Sequence, residues 1–317
     1  MSAQAVIFIT GTGRSGTNIL KKILKQHSDI ATLPFEYRFT VDPRGVFDFY
    51  NTFPAYWSPY WADAKIKDLE SFLFSLANKS EAKSSLDPNV TPAPYDGWQL
   101  NKWIDGYENM VRDFISTLIE FKYPARWPGT PRGISNNQMY FCTKRTKESL
   151  TPQIQKFLTS CFDSICQGQG KSYLVEDNTH NLLFAASIEK TVPNGKLIHM
   201  MRDPRDVIAS LATQRWAPNQ LDQCINWYNE VLETWHAQRA SVKSNFYIEV
   251  KFEDLINDPS DVLQRISGFA QFDFQDSMLN VDLSKHNMGR YKDQFNESEI
   301  EILNRGLSKW ISIYEYA

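Results

Sequence analysis

The stretch Val6-Ile7-Phe8-Ile9-Thr10-Gly11-Thr12-Gly13-Arg14-Ser15-Gly16-Thr17-Asn18 decides the fold. Its first four residues are apolar and read as a buried strand that a glycine-rich turn brings to an end. From Thr17 to Gln26 the period changes, with Ile19, Leu20, Ile23 and Leu24 on one helical face and lysines on the other. A strand, a glycine turn and a helix in that order aim uncapped backbone N–H groups at an anion. The turn departs from the standard triphosphate loop. Counted from Gly11, Gly16 keeps the G-x-x-x-x-G spacing, but Thr17 stands where lysine is usual and the cation is Arg14, inside the turn.

Two further short apolar runs, Leu197 to Met201 and Phe246 to Val250, read as strands of the same kind, and Ile30 to Leu33 as a shorter one. Helical patterns follow at Arg205 to Thr213 and at Ser260 to Phe269, the latter opened by Asp258-Pro259. This alternation predicts an α/β fold: a central parallel sheet flanked by helices on both faces. Residues 45–133 break the alternation with dense aromatics and prolines, among them Phe47, Tyr50, Trp57, Trp61, Trp98, Trp103 and Trp127. We read them as a helical and loop insertion within one domain spanning 1–317, with Lys79 to Pro94 its most loop-like part. Most of these rings are expected to pack on one another, and Asp96, Asp105 and Glu108 among them suit a polar or cationic small metabolite.

Composition narrows the partners. With 34 lysines and arginines against 37 aspartates and glutamates, the net charge of -3 gives no global reason to expect nucleic acid or an anionic membrane, so any anion site is local. The four cysteines, Cys142, Cys161, Cys166 and Cys224, form no C-x-x-C pair and have no histidines at zinc-ligand spacing, so buried reduced thiols and no metal are expected. Met1 to Gln4 runs into the first strand without a basic region, and nowhere is an apolar run long enough to span a bilayer. A cytoplasmic protein is the expectation. Nothing indicates a homo-oligomer.

A second anion site is legible in Arg202-Asp203-Pro204-Arg205-Asp206-Val207-Ile208-Ala209-Ser210. Arg202 ends a strand, Pro204 turns the chain, and Ser210 comes within about two helical turns, so one guanidinium and one hydroxyl can grip a phosphate. A capping turn with surface ion pairs explains the same residues. An arginine at this strand end suits a second phosphate better than the magnesium-holding aspartate that a kinase or NTPase requires, although Asp203 is the next residue.

With both motifs in view, the chain resembles the sulfotransferase superfamily that uses 3′-phosphoadenosine 5′-phosphosulfate (PAPS). Gly-x-x-Arg-Ser-Gly-Thr is similar to the family's 5′-phosphosulfate loop, in the form found in carbohydrate, tyrosylprotein and many bacterial members. Arg202 and Ser210 match its 3′-phosphate site. Val250-Lys251-Phe252-Glu253-Asp254-Leu255 and, more weakly, Gly289-Arg290-Tyr291-Lys292 extend the likeness; the aromatic insertion lies outside it. The resemblance implies a P-loop NTPase-like sulfotransferase fold and a donor site made by Thr12, Gly13, Arg14, Ser15, Gly16, Thr17, Asn18, Arg202, Ser210 and Arg290. It further implies PAPS as donor, PAP as product and no metal. Asn18 departs from the usual Thr or Ser.

In-line sulfonyl transfer to an alcohol needs a base opposite the leaving group. Glu36, just after the short strand at Ile30, is expected at the carboxyl edge of the sheet and resembles the catalytic glutamate of tyrosylprotein and several bacterial members, with Arg14 as the catalytic cation. A surface pair with Arg38 explains Glu36 equally. His180 is the alternative base, in a segment similar to the family's Lys-Thr-Pro loop but lacking its lysine and proline; a capping role explains it too. His27 is expected to meet a helix dipole and His199 to be a satisfied core residue. The acceptor is expected to be the hydroxyl or amine of a small molecule, with a glycan or a protein tyrosine as the alternative. Two other classes stand beside this reading: a P-loop kinase or NTPase, and a nucleotide-binding module without catalysis.

Overall fold

A computed structural model of the chain describes residues 3–78, 98–125, 138–284 and 287–316. The chain divides into two compact units. The first comprises residues 1–4, 33–174 and 190–193, and the second residues 5–32, 175–189 and 194–317.

Seven strands are described: β1 (Ala5–Gly11), β2 (Ile30–Thr32), β3 (Phe121–Pro124), β4 (Gln138–Phe141), β5 (Tyr173–Glu176), β6 (Gly195–Met201) and β7 (Tyr247–Lys251). Five form a parallel sheet in the order β2-β5-β1-β6-β7. The strand from the opening motif is central, and every residue of it is buried. A strand covered on both faces has no reason to alternate polar and apolar residues, which is why Val6 to Ile9 is continuously hydrophobic. β1 pairs with β6 from Val6 opposite Gly195 to Gly11 opposite Met200, and β6 pairs with β7 from Leu197 opposite Tyr247 to Met201 opposite Lys251. These registers bring the carboxyl ends of β1, β6 and β7 side by side.

The helix after β1 runs Thr17–Leu24, two residues short of the expected Gln26, and buries Thr17, Leu20, Ile23 and Leu24. The helix after β6 is Pro204–Leu211, with Asp203 capping it through the Arg205 N–H, and the third is Pro259–Ala270, capped by Asp258. Expectation and structure differ at His27. It lies beyond the helix end, where Nε2 is 2.8 Å from the Asp273 carbonyl and Nδ1 accepts the Asp29 N–H at 3.0 Å, so it joins two loops and does not meet the dipole.

In the first unit, long helices at Pro59–Ser75, Tyr107–Leu118 and Lys147–Gln169 accompany an antiparallel β3–β4 pair. Its aromatics do pack largely on one another. Phe47, Phe49 and Tyr107 are buried, and Phe114 stacks on Phe157 with centroids 4.7 Å apart, whereas Tyr56 and Trp57 are exposed. The expected loop at Lys79 to Pro94, with Asp96 and Trp127, lies outside the described residues. All four cysteines are buried. Among the described residues, no helix is long and apolar enough to cross a membrane.

His199 and Glu249 face each other across β6 and β7. His199 Nδ1 lies 3.2 Å from Glu249 Oε1, but Nε2 has no partner among the described residues, so this core histidine is only half satisfied. Burial pushes the Glu249 carboxyl up. His199, Arg239 and the Trp235 indole N–H outweigh that and hold it at about 2. An unfolded glutamate titrates at about 4.3, so the ionised group stabilises the fold above that pH, and the contribution is lost as pH falls through the folded value of about 2. Glu249→Gln is expected to lower the urea midpoint at neutral pH and to converge on wild type as the pH approaches the lower value. A gap of constant size in a pH series would contradict this.

Candidate anion site

Every residue singled out for the donor falls in the second unit. Gly13, Arg14 and Gly16 have φ of 78°, 59° and 99°, so the turn passes through three left-handed positions in quick succession. Gly16 then opens the helix without a side-chain cap, which leaves the first-turn N–H groups to an outside acceptor. Glycine is required at this position for a second reason. A Cβ there would stand 2.5 Å from Cδ2 of Phe252, the first residue after β7.

Arg202, at the end of β6, is buried and holds the turn from the other side. Its Nη1 donates to the Arg14 carbonyl at 3.2 Å and its Nη2 to the Asn287 carbonyl at 2.6 Å, while the guanidinium lies over the Phe252 ring, 5.0 Å from the centroid. Ser210, expected to grip an anion with Arg202, accepts from Arg14 Nε through its Oγ at 2.9 Å. The loop cation is therefore tied to the second motif directly. Arg290 is held by Gln294, whose Oε1 accepts Arg290 Nε at 2.9 Å and whose Nε2 donates to the Ala209 carbonyl at 2.9 Å.

Three guanidinium groups thus share one neighbourhood, and the electrostatics register it. Burial first, then the charges of Arg202 and of Arg290, lower the pKa of Arg14 from its ordinary value. Ser15 Oγ and Arg202 Nε are buried without a hydrogen-bond partner among the described residues. Buried donors left open beside like charges fit an anion with several oxygens. Thr12, Thr17 and Asn18 lie along the same turn, Thr17 buried and Asn18 exposed.

A carboxylate framework not anticipated from the sequence positions these cations. Asp206 is buried, accepts the N–H groups of Gly289 at 2.8 Å and Tyr291 at 3.1 Å, and pairs with Arg202 at 3.4 Å. Asp203 forms a two-point pair with Arg205, and its own N–H donates to Glu253 Oε1 at 2.9 Å. Burial raises the Glu253 pKa, against the hydrogen bonds it accepts from Asp203 and Tyr316. The available signal was spacing: Asp206 stands four residues after Arg202 on the capped helix, where their side chains meet.

His180 is exposed, and its N–H is held by the Asn178 side chain at 3.0 Å in a capping turn; the preceding carbonyl, of Thr179, accepts from Thr10 Oγ1 at 2.8 Å. Glu36 belongs to the first unit. Its carboxylate pairs with Arg38 at 3.2 Å, its carbonyl accepts the Trp98 indole N–H at 2.8 Å, and the Arg38 guanidinium lies over the Trp98 ring.

The profile described as "Sulfotransferase family" matches residues 126–276, a span that includes β6, Arg202, Ser210 and β7. This match to the sulfotransferase family takes in just under half of the chain. It is 25% identical over 183 residues to a protein-tyrosine sulfotransferase of Drosophila melanogaster, a match covering 52% of this chain and 35% of that protein. It is 24% identical over 182 residues to protein-tyrosine sulfotransferase 2 of Gallus gallus, covering 52% and 47%. The matches thus span about half or less of these relatives. Among solved structures, the sulfotransferase domain of the Synechococcus PCC 7002 olefin synthase is similar at 15% identity and a TM-score of 0.47, over 99% of this chain and 94% of that one. Sulfotransferase STF9 of Mycobacterium avium is similar at 13% and 0.48, over 99% and 77%.

Gly16→Ala is expected to cost at least about 2 kcal/mol, since the new methyl both adopts a strained φ and strikes the Phe252 ring. Urea unfolding measures it. A loss under about 0.5 kcal/mol, the range of ordinary surface changes, would mean the turn relaxes freely around the clash.

Proposed function

We propose that this chain is a PAPS-dependent sulfotransferase that transfers a sulfonyl group to a hydroxyl or amine by in-line displacement. The observation that carries the reading is the proximity of Arg14, Arg202 and Arg290 at a glycine turn whose buried Ser15 Oγ and Arg202 Nε have no hydrogen-bond partner among the described residues. When bound, PAPS supplies an activated sulfonyl group on a 5′-phosphate and a second phosphate on the 3′ carbon. The N–H groups of Ser15 to Asn18, the Thr17 hydroxyl and the Arg14 guanidinium hold the 5′ end and stabilise the charge that grows there. Arg202 and Ser210 hold the 3′-phosphate, with Arg290 adding positive charge from the neighbouring loop. Glu36 accepts the acceptor's proton, kept in its orientation by Arg38 and Trp98. His180 is the alternative base.

A small-molecule hydroxyl or amine is the acceptor we propose. The names of the matched relatives favour a protein tyrosine as the second reading. A kinase or NTPase reading is disfavoured by Thr17 in place of the loop lysine, and by Lys21, one turn further on, which is committed to Asp177 at 2.7 Å.

Thermal melting with PAP, with ADP and with Mg-ATP tests the donor. PAP at about 100 times its dissociation constant is expected to stabilise by about 2.7 kcal/mol, a rise of a few degrees. Stabilisation by Mg-ATP and not by PAP would overturn the reading. Glu36→Gln is expected to keep the PAP shift and to lose about 100-fold or more in kcat. Full turnover by this variant would pass the role to His180 or another group.

A further inference from the structure

Trp216 is unaccounted for by the donor site and stands against it. It is 57% exposed, the most exposed of the described tryptophans that remain solvent-facing. The segment that carries it is fastened to the second anion motif: Thr213 Oγ1 donates to the Ser210 carbonyl at 2.9 Å and Gln214 Nε2 to the same carbonyl at 3.2 Å. A Cβ built on Gly13 would lie 4.0 Å from Cη2 of Trp216, so the indole borders the phosphate turn, one residue from Arg14. Trp227 supports it from the side, with centroids 5.8 Å apart and planes at 66°. Leaving an indole this exposed forgoes the gain from burying it, and the side chains of Thr213, Gln214 and Trp227 hold the segment in place.

We propose that Trp216 is a specificity-determining residue, a platform on which the ring of a phenolic acceptor stacks beside the sulfonyl group. The inference rests on the donor reading above. In the donor, the base is separated from the 5′-phosphate by the ribose, whereas the indole borders the turn that takes the 5′ end. The ring placed there belongs to the acceptor. A flat aromatic ring gains from face-on contact with an indole, and a saturated ring of the same size gains less. The phenol can be a free small molecule or the side chain of a tyrosine.

Three probes test this with the full chain and PAPS: 4-methylphenol, an acidic peptide containing one tyrosine, and cyclohexylmethanol. Trp216→Ala is expected to raise KM about tenfold for whichever phenol wild type turns over, with little change for cyclohexylmethanol and an unchanged PAP dissociation constant. Trp216→Phe is expected to recover most of the loss. Turnover of 4-methylphenol alone identifies a small-molecule source, and turnover of the peptide alone a protein source. Weakened PAP binding with unchanged KM would assign the indole to the donor's base and overturn the proposal. So would unchanged KM and PAP binding together, or turnover of cyclohexylmethanol but of neither phenol. Failure of wild type to bind PAP is seen before any variant is made, and refutes the donor reading itself.

Discussion

Like charges brought together without a counterion repel, and the second unit is arranged around that constraint. Arg14, Arg202 and Arg290 act on one another closely enough to make the first of them a weaker base than an ordinary arginine. Each is held in place by groups that do not cancel its charge fully. Arg202 donates to the Arg14 and Asn287 carbonyls, Arg14 to a serine hydroxyl, and Arg290 to a glutamine amide. Apart from the Asp206 contact to Arg202 at 3.4 Å, these acceptors are neutral and fix position while leaving the charge available. The arrangement is therefore strained toward an anion, which would relieve the repulsion and occupy the open donors at once.

The carboxylates nearby are spent on backbone and not on the cations' free faces. Asp206 makes two of its contacts to the N–H groups of Gly289 and Tyr291, with the Arg202 contact longer, so it anchors the loop that bears Arg290 more than it neutralises the pocket. Glu253 in turn takes the N–H of Asp203, and Asp203 takes Arg205, whose guanidinium lies over Tyr291. A chain of contacts thus runs from Glu253, just after β7, through the turn after β6 to Tyr291, next to Arg290. The first two links are charge-assisted hydrogen bonds in a largely buried setting, where such bonds are strongest, and the last is a cation–π contact.

The fold was legible in thirteen residues, Val6 to Asn18, because a buried central strand, a turn of glycines and an amphipathic helix each leave a distinct local period. Partners distant along the chain were not. Ser210 was recognised as part of an anion clamp, but that its hydroxyl meets Arg14 depends on β1 lying beside β6, a register no local pattern encodes. The same holds for Phe252, which was noticed as a motif residue, whereas its pressure on Gly16 arises only once β7 is in place. His27 was misjudged for a related reason. Its helix ends two residues early, and the loop at Asp273, far along the chain, supplies the carbonyl it meets. Aromatic density between 45 and 133 foretold mutual packing, yet which rings would stay exposed depended on tertiary neighbours. The role of Glu36 is unresolved by sequence for the same reason, since a carboxylate next to an arginine looks alike in a surface pair and in a base.

Moving the loop cation from the helix to the turn has a structural consequence. A lysine at position 17 would extend from the first helical turn and act independently of the rest of the loop. Here the nearest helical lysine, Lys21, is drawn away by Asp177, and the charge comes from Arg14, whose φ of 59° costs a non-glycine residue about 1 kcal/mol or more. Such a conformation persists only where the surroundings over-determine it. Arg14 meets that condition at both ends: its carbonyl is held by Arg202 and its side chain by Ser210, the two residues of the second clamp. The turn and the clamp are thus mechanically one object. Any movement of the Arg14 side chain away from Ser210 therefore changes the turn and the end of the second motif together.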